Sequence, residues 1–364
     1  MLIADYDGLI IRSSVQVSDR VIEAGRRLRV IGRAGAGVDN IDIPAASERG
    51  IVVMNTPGAN TVATAEHTMA LLLALCRNVP QAAASLQRGE WERRRFKGIE
   101  LRSKTLGIVG LGRVGQRVAR RCRAFGMDVI CFDPYLSGER AELLKVDQVT
   151  LEELFERSDF ITLHAALTPD TEGLIGRGAL AKTKPGVRII NAARGGLIDE
   201  EALVEALTDG RVAGAALDVL VDEPPEASNP LLHMDNVVVT PHLAASTSEA
   251  QREVGIQIVG QVIDALEGTD FRNAVNMPIV DGRVFEELRS YLAMAERVGS
   301  LQTQLAEGAV TKVEVAIEGD DLDEHITPVS VAILKGMLDP FVTEPVNYVN
   351  AQHVAKERGL SLIH

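Results

Sequence analysis

Between Lys104 and Pro134 the chain reads KTLGIVGLGRVGQRVARRCRAFGMDVICFDP, the stretch that most restricts what it can fold into. Thr105 to Val109 is a short apolar run of the kind that forms a strand buried on both faces. Gly110, Gly112 and Gly115 follow at GxGxxG spacing, and RVGQRVARRCRA then has helical periodicity. A second apolar run, DVICF, ends at Asp133, eighteen residues beyond Gly115. Strand, glycine turn, helix and strand within about thirty residues make one unit of a parallel, doubly wound sheet. The first glycine permits a sharp turn, the second lets a pyrophosphate approach the backbone, and the third lets the helix pack closely on the strand. An acid at the end of the second strand can hold both ribose hydroxyls and repel a 2′-phosphate. A GxGxxG alone is weak, since glycine turns are common. Flanked by this strand, this helix and this acid, it predicts a dinucleotide site that prefers NAD to NADP.

The chain has room for more than this unit. At 364 residues it exceeds the usual size of one core, so two or three domains are expected. Aromatic residues are only 4 % of the chain while Ala, Val, Ile, Leu and Gly dominate, as in tightly layered parallel α/β proteins. A net charge of -13 argues against a nucleic-acid surface, which needs clustered positive charge. Cys76, Cys122 and Cys131 form no CxxC pair and read as buried thiols of a reducing compartment. The opening MLIADYDGLI lacks the basic-then-apolar pattern of a signal peptide. The longest apolar run, MALLLALC, falls far short of the ~20 residues of a membrane helix. These features lead to the expectation of a soluble, cytoplasmic protein with no membrane or nucleic-acid partner.

Strand and helix patterns alternate along most of the chain. GLII, RVIGR and IVVMN read as strands in the first 56 residues, and TVATAEHTMALLLALCRNVPQAAASLQRGEW as one long helix. DFITLHAAL, GVRIINAAR, AGAALDVL and NVVVTPHLA read as further strands, and SEAQREVGIQIVGQVIDALEG as a helix. From NAVNMP onward the composition turns to a smaller, more acidic α+β domain. The expected division is 1–56 as the first part of a substrate domain and 57–241 as the nucleotide domain. Residues 242–275 would return to the substrate domain, and 276–364 would form an incomplete closing domain.

Charged residues gather at the ends of the later strands. Arg194 in NAARGG stands at the carboxyl end of a strand, where ligands of open α/β sheets bind, and its guanidinium fork suits a carboxylate. Asp218 follows the next strand, with Asp222 and Glu223 in the turn DVLVDEPP, and His242 follows the next in TPHLAAS. A lone histidine after a strand is more often structural than catalytic. Beside an arginine, an acid and a dinucleotide turn, it becomes a candidate proton carrier. No metal-ligand spacing is present.

The motifs VIGRAGAGVDN, NTPGANT, AEHTMALLLALCRN, GLGRVG, NAARGG, ALDV, EPP and TPHLAAST, in this order, resemble the D-2-hydroxyacid dehydrogenase family, and the likeness runs from residue 1 to the end. The resemblance implies an α/β fold with a Rossmann NAD-binding domain inserted into a flavodoxin-like substrate domain. The substrate domain would lack its first strand, and a C-terminal α+β intervening domain would follow. It implies NAD-dependent oxidation of 3-phospho-D-glycerate to 3-phosphohydroxypyruvate, the first step of serine biosynthesis, in a homodimer or homotetramer.

It also implies roles for single residues. Arg194, Glu223 and His242 match the catalytic three: His242 takes the hydroxyl proton, Glu223 holds the other ring nitrogen, and Arg194 binds the carboxylate. Gly110, Gly112, Arg113, Val114 and Gly115 would lie at the pyrophosphate and Asp133 at the ribose. Ala192, Ala193, Asp218, Ala244 and Ala245 would line the nicotinamide side, with Asp218 toward its carboxamide and Asp222 in solvent. Arg12, Arg33, Asn55, Gly58 and Arg93 would meet the substrate, Arg12 and Arg33 at its phosphate. His67, His164, His233, His325, His353 and His364 match no catalytic motif and read as structural or exposed. Ala244 stands where similar proteins mostly have glycine, and Ala165 and Ala192 where larger side chains are common. These departures touch cofactor affinity rather than reaction type.

The resemblance further suggests a fragment of a longer reading frame. A strand missing from the interior of the first sheet would leave a gap between its neighbours, and no serine-binding regulatory domain would follow. Two rivals remain: a glyoxylate or hydroxypyruvate reductase with the same catalytic three, and a non-enzymatic NAD(H)-sensing protein on the same scaffold.

Overall fold

The computed structural model describes residues 2–278, 282–306, 308, 310–318, 325–342 and 345–363; His364 lies outside them. The chain forms two compact units, Met1–Ala59 with Arg252–His364, and Asn60–Gln251.

The first unit begins with β1 (Gly8–Ile11), α1 (Asp19–Ala24), β2 (Val30–Arg33), α2 (Ile43–Glu48) and β3 (Val52–Met54). The strands are parallel, in the order β1-β2-β3, and pair Ile11 with Arg33 and Gly32 with Met54. The expected interior gap is not there: each strand is hydrogen-bonded directly to the next. Asp42 caps α2 by accepting the Ala45 N–H at 3.0 Å, satisfying one of the orphan donors of its first turn. Ile11, Ile22, Ile31, Ile51 and Val53 bury the sheet's inner face against the two helices.

The second unit opens with α3 (Thr61–Arg77) and α4 (Val79–Gln87). The expected single helix is two, bent by 63° at Asn78. Asn78 adopts a left-handed conformation (φ 52°), which asparagine tolerates better than most residues, and Pro80 has no N–H to continue the ladder. No single described helix is long and apolar enough to cross a membrane. Ten residues of α3 are buried.

The nucleotide sheet then follows: β4 (Thr105–Val109), α5 (Arg113–Ala124), β5 (Asp128–Phe132), α6 (Gly138–Leu144), β6 (Asp147–Gln148), α7 (Leu151–Arg157) and β7 (Phe160–Leu163). It continues with α8 (Arg177–Lys182), β8 (Val187–Asn191), α9 (Glu200–Thr208), β9 (Val212–Leu217) and β10 (Val237–Val239). All pairings are parallel, in the order β10-β9-β8-β7-β4-β5-β6. The chain starts this sheet near its middle and winds outward both ways, so direction reverses between β4 and β7. Loops diverge at such a point and leave a crevice at the carboxyl ends of the strands. One core layer holds Leu106, Ile108, Val118 and Cys122, and the other Ile161, Leu163, Ile189 and Leu203.

The first unit resumes along α10 (Ser248–Glu267), whose Ile258 and Val262 pack with Val30, Val52 and Met54. Its last part is built on α11 (Gly282–Leu305) and α12 (Ile326–Leu338), joined through Leu288, Leu292, Val329 and Ala332. β11 (Lys312–Glu314) pairs in parallel with β12 (Ser361–Ile363), and α13 (Ala351–Glu357) precedes β12.

Candidate active site

The glycine turn has the three-part geometry that its spacing predicts. Gly110 has φ +88°, and a Cβ there would lie 2.8 Å from His164 O across the switch point, so no side chain fits. A Cβ at Gly112 would meet nothing within 4 Å, which leaves the start of α5 open to a ligand. At Gly115 a Cβ would lie 2.3 Å from Gly110 O, the close packing of helix on turn. Arg113 is exposed beside this opening, and half-buried Val114 packs on the core. Asp133 is half-buried: one carboxylate oxygen accepts the Leu111 N–H at 2.8 Å and the other the Tyr135 N–H at 3.0 Å. Two donors fix the carboxylate, and each oxygen keeps acceptor capacity for a further hydroxyl.

The arginine loop after β8 is tied by Asn191, which is fully buried. Its Oδ1 accepts the Ala193 N–H at 3.0 Å, and its Nδ2 donates to Arg194 O at 2.8 Å. Arg194 is half-buried and its Nη1 donates to Ala193 O at 2.7 Å. A Cβ at Gly195 would lie 2.0 Å from Leu220 O, so this loop presses directly on the turn after β9. Ala192 is buried and Ala193 half-buried beside it.

The turn after β9 holds two acids in opposite surroundings. The Asp218 side chain is 0 % exposed. Its Oδ1 accepts from Thr240 Oγ1 at 2.6 Å and the Leu243 N–H at 2.8 Å, and lies 3.0 Å from His67 Nε2. Its Oδ2 accepts the Ala244 N–H at 2.8 Å. Burial alone would push this carboxyl up, but the hydrogen bonds from His67, Thr240, Leu243 and Ala244 outweigh it and hold it below its ordinary value. The two oxygens of Asp218 hold four of the chain's own donors, three on Oδ1 and one on Oδ2. Its surroundings describe a frame for the next turn.

That turn carries His242, whose own N–H donates to Asp218 O at 2.9 Å and whose φ is +52°, an uncommon value for histidine. The frame therefore fixes the backbone on both sides of His242 and aims its ring outward. His242 Nδ1 lies 2.7 Å from Glu223 Oε2, and the two side chains are 42 % and 39 % exposed. Glu223 Oε1 also accepts the Leu220 N–H at 3.2 Å, which sets the carboxylate's direction. Asp222 is exposed, as expected. Ala244 is buried and Ala245 half-buried behind the histidine.

In the first unit Arg12 is exposed after β1, one residue past Ile11, which pairs with Arg33 at the end of β2. Asn55 is buried and its Nδ2 donates to Ala36 O at 2.6 Å, tying the segment after β3 to the turn after β2. Gly58 is exposed. Arg12, Arg33 and Asn55 thus share the carboxyl edge of the small sheet. Arg93, in the second unit, is exposed in the basic segment after α4.

Residue spacing does not single out Asn191, Thr240 or the pairing of His67 with Asp218. Each acts through a contact across many residues of sequence, and a buried amide or hydroxyl carries no periodicity. His67 and His164 have structural positions, as expected; burial pulls His164 down to about 4. The three cysteines are buried, and burial pushes Cys76 up to about 11, Cys122 to about 12 and Cys131 to about 11, so they are inert thiols.

Comparison with known proteins agrees with this geometry. Residues 69–244 match the family model of the D-isomer specific 2-hydroxyacid dehydrogenase NAD binding domain. Residues 287–364 match that of the D-3-phosphoglycerate dehydrogenase intervening domain. A D-3-phosphoglycerate dehydrogenase of Archaeoglobus fulgidus is 49 % identical over 98 % of this chain and 68 % of its own length. That of Synechocystis is 48 % identical over 100 % of this chain and 65 % of its own. The chain thus spans about two thirds of the length of these curated relatives. Among solved structures, a D-lactate dehydrogenase of Aquifex aeolicus complexed with NAD and lactic acid has a TM-score of 0.68 at 29 % identity. That likeness covers 73 % of this chain and 85 % of the other.

Proposed function

The chain belongs to the D-isomer specific 2-hydroxyacid dehydrogenase family, and from that premise we propose that it oxidises 3-phospho-D-glycerate to 3-phosphohydroxypyruvate with NAD, the first step of serine biosynthesis. The observation that carries the reading is the His242–Glu223 contact of 2.7 Å at the end of the nucleotide sheet. The curated relatives named D-3-phosphoglycerate dehydrogenase favour this substrate over the reductase and sensor alternatives.

The residues present fit NAD. The open start of α5 at Gly112 leaves space for a pyrophosphate against backbone donors, and Asp133 is fixed to meet the ribose. Gly110, Arg113, Val114 and Gly115 would complete the pyrophosphate side, and Ala192, Ala193, Ala244 and Ala245 the nicotinamide side. Bound there, NAD supplies the acceptor for the hydride lost from C2 of the substrate.

The chain's own residues handle the proton and the charges. With Nδ1 of His242 committed to Glu223, Nε2 is the nitrogen left to accept the 2-hydroxyl proton. Glu223 holds the ring in orientation and compensates the positive charge it acquires, while the proton transfer itself, at His242, is worth typically ~10²–10⁴-fold. Arg194 would hold the substrate carboxylate with two parallel hydrogen bonds and draw charge onto the developing carbonyl oxygen. Arg12, Arg33, Asn55, Gly58 and Arg93 would bind the remainder, with Arg12 and Arg33 at the phosphate.

In this reading residues 57–241 are the NAD domain, 1–56 with 242–275 the substrate domain and 276–364 the intervening domain. The protein works as a homodimer or homotetramer in the cytoplasm. The test is NADH production from 3-phosphoglycerate against unphosphorylated glycerate. Turnover with the phosphorylated acid alone supports the proposal, and equal turnover of both points to a broader hydroxyacid dehydrogenase. Binding of NADH without turnover of either points to a sensor.

A further inference from the structure

At the amino-terminal edge of the small sheet, opposite Arg12, Arg33 and Asn55, lies a cavity of about 600 Å³. Its walls are the starts of β2 and β3, the end of α10 and the segment 345–350. Four arginines line it (Arg26, Arg27, Arg29 and Arg49), and no aspartate or glutamate does among the described residues. That runs against the whole chain, in which 51 acids outnumber 38 lysines and arginines. Arg27 is taken up by Asp7 at 2.8 Å. The other three guanidinium groups have no carboxylate partner among the described residues. Like charges gathered round one concavity repel, and an anion entering it relieves the repulsion while gaining their combined attraction.

The wall facing the arginines is fixed. Asn347 Nδ2 donates to Gly50 O at 2.6 Å, and its Oδ1 accepts the Val349 N–H at 2.9 Å. Asn350 Nδ2 donates to Pro345 O at 3.1 Å. Gly50 has φ +67°, and a Cβ there would lie 2.7 Å from Asn347 Nδ2, so only glycine admits the contact. The Tyr348 hydroxyl donates to Glu296, and its ring lies 5.7 Å from Lys335 Nζ, which holds an aromatic surface in place. Cations on one side and a rigid amide and aromatic wall on the other give a concave site of the size that takes small molecules.

We infer that this cavity binds a small metabolite carrying two or more anionic groups, phosphate or carboxylate, at a place separate from the substrate. Arg29 immediately precedes β2 and Arg33 ends it. At ~3.3 Å per residue the two lie roughly 13 Å apart along the strand, more than a three-carbon acid spans. A ligand here bridges the strand starts to segment 345–350 and stabilises the chain by mass action.

The full chain is titrated with inorganic phosphate and, separately, with citrate at fixed ionic strength, by calorimetry and thermal unfolding. Wild type, Arg12→Gln, Arg29→Gln and Arg49→Gln are compared. Saturable binding in the wild type is expected with at least one probe, and which probe binds distinguishes a phosphate from a polycarboxylate ligand. Arg12→Gln should keep that binding, while Arg29→Gln and Arg49→Gln each weaken it at least tenfold. Both arginines are exposed, so their ligand-free melting temperatures should stay near wild type. Arg29→Lys, which keeps the charge but loses the planar fork, should fall between. Binding that survives both glutamine variants, stabilisation matched by chloride, or no saturation with either probe would overturn the inference.

Discussion

Asp218 and Glu223 lie five residues apart on one turn, yet the sealed region round Asp218 and the open region round Glu223 use a carboxylate in opposite ways. Asp218 is shut off from solvent and its oxygens hold the two backbone N–H groups that follow His242. Glu223 is partly exposed and holds only the histidine ring and one backbone N–H. A buried charge lasts only when its partners are complete, so it suits a frame, whereas an exposed pair can change protonation without disturbing the core. The difference separates a carboxylate that holds backbone from one that holds chiefly a ring.

The comparison is broken most directly at His242. His242→Ala should lower kcat by ~10²–10⁴-fold. Because the ring is exposed, the urea midpoint should move little and NADH affinity should hold. Normal turnover would move the proton to another residue and undo the distinction.

Asp218→Ala should do the reverse first. It strands Thr240, His67 and the N–H groups of Leu243 and Ala244, and breaking such a buried charged cluster costs about 3–5 kcal/mol of stability. Equilibrium urea unfolding measures it; a loss below about 1 kcal/mol would mean that the frame is held elsewhere. Activity should fall too, with Asp218→Asn intermediate in both respects.

Acid should load two buried groups of the nucleotide unit in turn, His164 after β7 and then Asp218. His164 is lowered to about 4 from 6.5, so between these values the unfolded chain binds a proton that the folded chain refuses. Stability is complete above pH 6.5 and declines toward pH 4, by about 1–3 kcal/mol, nearer the lower figure since the residue keeps some exposure. Asp218 is also lowered, so its contribution is present above the unfolded carboxylate value near ~4 and disappears as pH falls through its lower folded value. Urea midpoints from pH 7 to 3.5 should therefore fall in two stages. His164→Gln should remove the upper one, and a single decline confined to pH below 4 would contradict the reading of His164.

Glu223→Gln is expected to have the smallest effect. Glutamine can still accept from the ring but compensates no charge, so kcat should fall about 10- to 100-fold with KM and unfolding nearly unchanged. A stability loss as large as that of Asp218→Ala would erase the difference between the two acids.

The nucleotide unit was legible because its determinants are local. The GLGRVG turn, the strand before it and Asp133 after it are neighbours in sequence, and Gly110, Gly112 and Gly115 have separate steric reasons visible in spacing alone. Motif likeness singled out Arg194, Glu223 and His242 as candidates. The bend at Asn78 was hidden because the apolar pattern of α3 runs on into α4. The contiguous β1-β2-β3 sheet was misjudged because strand order depends on pairing rather than on sequence order.

The sequence by itself therefore determined the fold class, the cofactor turn and the identity of the charged residues, since each follows from a short pattern and the stereochemistry of its own residues. Only the tertiary structure decided which acid is sealed and which one stays open. Asp218 and Glu223 have the same chemistry, and they are told apart by burial and by partners that arrive from α3 and from the turn after β10. Those partners lie up to 151 residues away in sequence. Solvent exclusion and hydrogen-bond completeness are properties of the assembled core, so no window of sequence contains them.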